Sequence, residues 1–278
     1  MATRLISAGI GVAVALLVFF LHHTIVLPIA AALIALIILF EFFRANDLFK
    51  YRITAIASLI YAAALPFVTV GIAARFRMML TVVCIGLQLS DYVLQAQKMP
   101  AKDFFAAVAG TLLTANGMAC AITLHNTHSQ HGLAYLVLAL GGAWLADTGA
   151  YFTGTFFGKT KLCPKVSPKK TLEGFIGGIV TNIIFFVVFN LVYQAVLANK
   201  GTPIEVSWLS TVCVAAVCAV LGTVGDLAAS VLKRQLDIKD YGTIMPGHGG
   251  LLDRFDSVLL VLPFFCAYVQ ASSFFNIV

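Results

Sequence analysis

Charge is scarce in this sequence. Asp, Glu, Lys and Arg together make up 11% of its 278 residues, against roughly a quarter in a soluble domain. Cysteine pairing is also missing. The six cysteines (Cys84, Cys120, Cys163, Cys213, Cys218 and Cys266) are scattered, mostly within apolar runs, and none forms a C-x-x-C pair. Neither a disulfide framework nor a cysteine zinc site is expected, and these residues read as small packing groups. No G-x-x-x-x-G-K-[ST] segment occurs, which excludes a P-loop nucleotide hydrolase. No stretch reads as a soluble domain, so any chemistry is expected in the membrane or in the loops between spans.

What fills the sequence is apolar. Hydrophobic residues make up 60% of it, in runs of about 20, the length that crosses a ~30 Å hydrocarbon core. Hydropathy places about nine spans, near residues 5–21, 24–42, 53–73, 78–96, 103–124, 133–152, 174–198, 206–229 and 255–275. The expected fold class is all-α, a polytopic transmembrane helical bundle. Residues 5–21 read as a retained helix, because a second apolar run begins directly after His22 and His23. The spans divide into an N-terminal set (residues 1–132, spans 1–5) and a catalytic region (residues 133–278, spans 6–9).

Only 153–173 and 230–254 are long connections. With the N-terminus inside, 15 of the 18 basic residues fall on one side, leaving Arg75, Arg77 and Lys200 on the other. By the positive-inside rule both long loops are cytoplasmic, where they can meet.

The first polar stretch, Trp144 to Gly178, begins with Trp144, Asp147 and Tyr151 at i, i+3 and i+7, on one helical face. An aspartate within a span costs of order 3 kcal/mol and is normally kept for a site. Gly154, Gly158, five lysines and Ser167-Pro168-Lys169-Lys170-Thr171 follow. Small residues with clustered lysine suit a polyanion, since backbone amides and ammonium groups can both approach phosphate oxygens.

The second stretch, Gly225 to Asp256, places Asp226, Ser230, Lys233, Arg234 and Asp237 on one stripe if the eighth helix continues beyond the membrane. Pro246-Gly247-His248-Gly249-Gly250 then forces a tight turn ahead of Asp253, Arg254 and Asp256. Asp226, Asp253 and Asp256 form a candidate oxygen cage for Mg²⁺ if the turn folds back. Two further groups read blandly. Asp91 reads as an interfacial carboxylate. His125, His128 and His131, at steps of three, read as part of a solvated external loop rather than a metal site.

The run SVLKRQLDIKDYGTIMPGHGGLLDRFD resembles the hallmark segment of the phosphatidate cytidylyltransferase (CDP-diacylglycerol synthase) family, S-x-x-K-R-x-x-x-x-K-D followed by P-x-H-G-G-x-x-D-R-x-D. Ser230, Lys233, Arg234, Lys239, Asp240, Gly242, Pro246, His248, Gly249, Gly250, Asp253, Arg254 and Asp256 fit it. Upstream, W-x-x-D-x-x-A-Y-x-x-G and S-P-K-K-T-x-E-G-x-x-G-G are similar to the same family. The match is strong over residues 141–257, and over the first 130 it extends only to hydropathy.

The resemblance implies an Mg²⁺-dependent transferase that converts phosphatidic acid and CTP to CDP-diacylglycerol and pyrophosphate in phospholipid biosynthesis. It carries the metal-binding aspartates over to Asp226 and Asp253. Lys233, Arg234, His248 and Arg254 join them as expected catalytic residues, with His248 a phosphate-binding or turn residue rather than a base. Asp147, Tyr151, Ser167, Lys169, Lys170, Ser230, Lys239, Asp240, Gly249 and Gly250 are expected to bind substrate. The expected setting is a bacterial inner membrane, with the site facing the cytoplasm and no nucleic-acid partner. A second, monovalent cation and a homodimer stay open.

Two other functions fit part of the pattern. A CTP-dependent polyprenol or phytol kinase would use similar charges, but the full P-x-H-G-G-x-x-D-R-x-D segment argues against it. An ion-coupled transporter would explain Asp91, Asp147 and Asp226 within spans, but no internal repeat is visible and the chemistry clusters on one face.

Overall fold

The computed structural model describes residues 2–127, 130–244 and 249–277. Its helices in chain order are α1 (Ala2–Phe20), α2 (Val26–Ala45), α3 (Arg52–Ala64), α4 (Arg77–Leu94), α5 (Ala101–Thr127), α6 (Gly132–Phe157), α7 (Leu172–Asn199), α8 (Trp208–Gln235), α9 (Leu252–Phe255) and α10 (Val258–Ala271). Four short strands, β1 (Lys161–Cys163), β2 (Ser167–Thr171), β3 (Ile204–Val206) and β4 (Phe275–Ile277), form two antiparallel ribbons, β1–β2 and β3–β4. Among the described residues, six helical stretches are long and apolar enough to cross a membrane, while Arg52–Val68 and Val258–Ala271 are apolar but shorter. The chain is an all-α integral membrane protein. Each apolar run read from hydropathy includes one of these helices, but 53–73 is α-helical only to Ala64 and 255–275 ends in β4. The two short ones coincide with prolines: Pro66 lies in the 3₁₀ turn that follows α3, and Pro263 lies inside α10.

The chain forms two compact units, Met1–Ser129 with Lys233–Phe255, and Gln130–Leu232 with Asp256–Val278. Residues 233–255 thus group with the first five helices.

In the first unit α2 lies close to α5 at Gly110, where a Cβ would run into the Phe42 ring. Asp91 is not interfacial: it is 1% exposed. Its carboxylate accepts from the Thr54 backbone N–H (2.9 Å) and the Thr54 hydroxyl (2.8 Å). Thr54 lies in the first turn of α3, whose N–H groups have no partner within the helix, so a carboxylate from α4 meets both an unfilled donor and the positive end of the helix dipole.

In the second unit α6 and α7 pack backbone to backbone. A Cβ on Gly174 would approach the Ala150 carbonyl to 2.7 Å, and one on Gly178 the Ala146 carbonyl to 2.8 Å. In hydrocarbon, where apolar association gives little drive between helices, small residues at the seam allow this approach.

The histidines expected in a solvated loop are not solvated. His125 is buried at the end of α5, and His131 is buried with its Nδ1 2.8 Å from the Tyr193 hydroxyl. They belong to different units. His128 lies outside the described residues.

Candidate active site

In the second unit the first polar stretch is a folded element rather than a loop. α6 continues to Phe157, five residues past the expected span end, and a β1–β2 hairpin follows. The T-L-E-G residues closing the lysine motif account for its shape. Thr171 caps α7, its hydroxyl accepting from Gly174 N–H (3.1 Å). Glu173, in the first turn, accepts from the backbone N–H of Lys159 and Thr160 (3.1 Å each) and ties the hairpin base to the helix. Gly154 leaves room for the Thr171 hydroxyl, which would lie 2.9 Å from a Cβ there.

This frame holds Ser167, Lys169 and Lys170 on β2. Lys169 is exposed, while Lys170 is half-buried and forms an ion pair with Asp226 of α8. The two polar stretches, separated in sequence by α7, thus meet. Asp226 also accepts a long hydrogen bond from Ser230 (3.4 Å). Asp147, on the same α6 face as Trp144 and Tyr151, has the Asp226 carboxylate and the Lys170 ammonium as electrostatic neighbours and accepts from the Ser257 hydroxyl. Tyr151 is 68% exposed. Gly225 lets α8 approach residues 256–257, since a Cβ there would meet the Asp256 carbonyl at 2.5 Å. Asp256 accepts from the Ser257 N–H (2.8 Å).

In the first unit Asp253 organises the glycine turn. Its side chain is 5% exposed and pairs with Lys233 at 2.7 Å. The other carboxylate oxygen accepts from the backbone N–H of Tyr241 (2.9 Å) and Gly250 (3.0 Å). Gly249 takes φ +87°, and a Cβ there would lie 3.2 Å from both the Asp240 and Asp253 carboxylates. The positive φ favours glycine, and a Cβ there would also press on both carboxylates. Arg234, Lys239, Asp240 and Arg254 are exposed around this turn. His248, with Met245 to Gly247, lies outside the described residues. Asp237 leaves the expected stripe. α8 ends at Gln235, Asp237 turns left-handed (φ 53°), and the N–H of Ile238 closes back on the Lys233 carbonyl (3.0 Å).

One residue of this turn escaped sequence reasoning. Glu41, 3% exposed in α2, accepts from the backbone N–H groups of Leu251 (3.0 Å) and Leu252 (2.8 Å). A Cβ on Gly242 would collide with its carboxylate, and one on Gly250 would lie 2.6 Å from it. The signal was present: Glu41 is the one charged residue of its apolar run.

The Cytidylyltransferase family model matches residues 2–272. The chain belongs to the cytidylyltransferase family. Among curated relatives, it is 41% identical over 135 residues to phosphatidate cytidylyltransferase of Bacillus subtilis (strain 168), covering 49% of this chain and 47% of the relative. Against the protein of that name from Staphylococcus aureus (strain COL) the identity is 42% over 139 residues, half of each chain. Staphylococcus saprophyticus gives 39% over 140 residues, again half of each. The chain spans about half the length of the curated relatives it matches. The family assignment rests on nearly the whole sequence, and the named relatives on half of it.

The donor chemistry fits a hard divalent cation in the second unit. Asp147 and Asp226 share one neighbouring ammonium, that of Lys170. The surplus negative charge, on oxygen donors alone, is what Mg²⁺ would offset.

Proposed function

We propose that this chain is an integral membrane phosphatidate cytidylyltransferase, joining phosphatidic acid to CTP with release of pyrophosphate. The observation that carries the reading is the Lys170–Asp226 contact. It joins the lysine motif on β2 to Asp226 within α8, and so brings together two segments that the family motif defines.

In the reaction a phosphate oxygen of phosphatidic acid bonds to the α-phosphorus of CTP. The bond from that phosphorus to the bridging oxygen of the β-phosphate breaks, and pyrophosphate leaves with the electron pair. The nucleophile has a second pKa near 6, so it is largely dianionic at neutral pH and needs no general base. What the protein must do is hold two polyanions together and offset charge on the leaving group. Lys169 and Lys170 on β2, and Lys233, Arg234 and Arg254 near the glycine turn, supply positive charge for this. Ser167 and Ser230 supply hydroxyl donors. Mg²⁺, assigned by the family motif to Asp226 and Asp253 with Asp256 as a further oxygen donor, would supply Lewis-acid neutralisation of the triphosphate. We further propose that the site faces the cytoplasm of a bacterial inner membrane, where CTP is available.

Purified protein given phosphatidic acid, Mg²⁺ and CTP labelled in the base and in the γ-phosphate should release labelled pyrophosphate and form a base-labelled lipid. Release of CDP with a γ-labelled lipid would replace this reading with a CTP-dependent lipid kinase.

Orientation is testable separately. Thr160 and Thr243 are exposed in the two polar stretches. Single cysteines there, in a background lacking the native six, should resist an impermeant thiol reagent in intact cells and react once the membrane is opened. Labelling of either from outside would reverse the topology.

The lysines make a third expectation. Lys169→Gln with Lys170→Gln should lower kcat/KM by about tenfold or more, since a lost charge-assisted hydrogen bond is worth about 1.5–3 kcal/mol. Insertion into the membrane should be unaffected. Unchanged activity per inserted molecule would reduce these lysines to determinants of topology.

A further inference from the structure

We infer that His22, His23 and His125 form a binding site for a borderline divalent metal ion of the zinc class, separate from the Mg²⁺ chemistry proposed above. His22 and His23 lie in the turn that follows α1, and His125 lies at the end of α5. One ring nitrogen from each comes within 4.8 Å of the others. The ring centroids of His22 and His125 are 4.9 Å apart, and those of His23 and His125 6.0 Å apart.

The hydrogen bonding around His125 fixes which atom it offers. Asn126 Nδ2 donates to the Ile122 carbonyl (3.0 Å), which turns its Oδ1 toward His125 Nδ1 (3.3 Å). An oxygen acceptor there places the proton on Nδ1, so Nε2 carries the lone pair. That lone pair faces His22 Nδ1 at 2.6 Å. An outer partner that holds the tautomer and aims the free nitrogen is the usual arrangement around a metal-bound imidazole. A zinc ion with Zn–N bonds of about 2.0–2.1 Å would take the place of the shared proton, the two nitrogens moving apart by under about 1 Å. Three imidazoles without a carboxylate favour zinc, copper or nickel over Mg²⁺. His125 is buried, His22 half-buried and His23 exposed, so the cluster has an open side for ion entry and for a water as fourth ligand.

The site lies at the opposite end of α2 from the glycine turn. α2 starts at Val26, three residues after His23, and Glu41 is 15 residues further along it, about 22 Å at 1.5 Å per residue. The site is a clamp joining the α1–α2 turn to α5.

The test uses the full chain, purified through a tag without histidine and freed of metal. Titration with Zn²⁺ against a chromophoric chelator should show one ion bound per chain. Co²⁺ should give the visible absorption of a tetrahedral nitrogen site, without the near-ultraviolet band of a thiolate. His22→Gln and His125→Gln should each weaken binding by about a hundredfold or more, since outer-partner losses alone cost 10–100-fold. Asn126→Ala should weaken it about tenfold, while His131→Gln should leave it unchanged. The Co²⁺ spectrum of the unaltered chain stands even if a variant fails to fold. Absence of saturable one-equivalent binding, a thiolate spectrum, or binding that survives His22→Gln combined with His125→Gln would each overturn the assignment.

Discussion

Asp226→Asn is expected to abolish Mg²⁺-dependent formation of CDP-diacylglycerol, by about a hundredfold or more, with the protein still inserting and extracting normally in detergent. A hundredfold corresponds to about 2.7 kcal/mol, within what a catalytic metal contributes. Asparagine keeps the shape of Asp226 but removes the charge that holds Lys170. Asp147 then faces that ammonium alone, and the surplus negative charge of the cluster is gone. Asp253→Asn is expected to cost as much, for two reasons that can be separated. Asp253 accepts from Lys233 and from two backbone amides at once. An amide side chain cannot do this, because its NH₂ end would face either the ammonium or an N–H. Loss of metal binding alone would raise the Mg²⁺ concentration needed for half-maximal rate. Loss of the turn alone would speed amide exchange at Tyr241 and Gly250 and leave the Mg²⁺ dependence unmoved. If both variants kept near-full activity at unchanged Mg²⁺ dependence, the cation site would have to be sought at Asp147 and Asp256.

What was legible in the sequence followed from local rules. Hydropathy located the helices because crossing a membrane demands a run of apolar residues that any window detects. Trp144, Asp147 and Tyr151 share a face of α6 because the helical period is fixed. The meeting of Lys170 with Asp226 was foreshadowed by the sidedness of the basic residues. What was hidden depends on distant partners or on stops that periodicity does not mark. The stripe from Asp226 ends before Asp237 because α8 closes at Gln235 and the aspartate turns left-handed. The lysine-rich loop hides a hairpin whose strands are only three and five residues long. His125 meets His22 across 103 residues, and Glu41 meets Leu251 across 210. No pattern within a window connects such pairs.

Glu41 yields the second large expectation. Its carboxylate serves two backbone amides of the segment that carries Asp253, and Gly242 and Gly250 have no side chain where that carboxylate sits. Glu41→Gln places an NH₂ against one of those amides, so a buried donor loses its acceptor and meets another donor. Hydrogen bonds to charged groups are worth about 1.5–3 kcal/mol, and the orphaned amide adds its own desolvation cost. Because the affected amides immediately precede Asp253, the expected result is a fall in kcat of about ten- to a hundredfold. Glu41 acts by positioning the turn, so the loss should come with faster amide exchange at Leu251 and Leu252. Gly250→Ala attacks the same contact from the other side, pushing a methyl group to 2.6 Å from Glu41 Oε2 and 2.7 Å from the Gly242 nitrogen. It should reproduce the defect. The double variant should be less impaired than the two losses combined would give, since both break one contact. Fully additive losses, or a Glu41→Gln variant with wild-type kcat, would show that the turn holds its shape without α2.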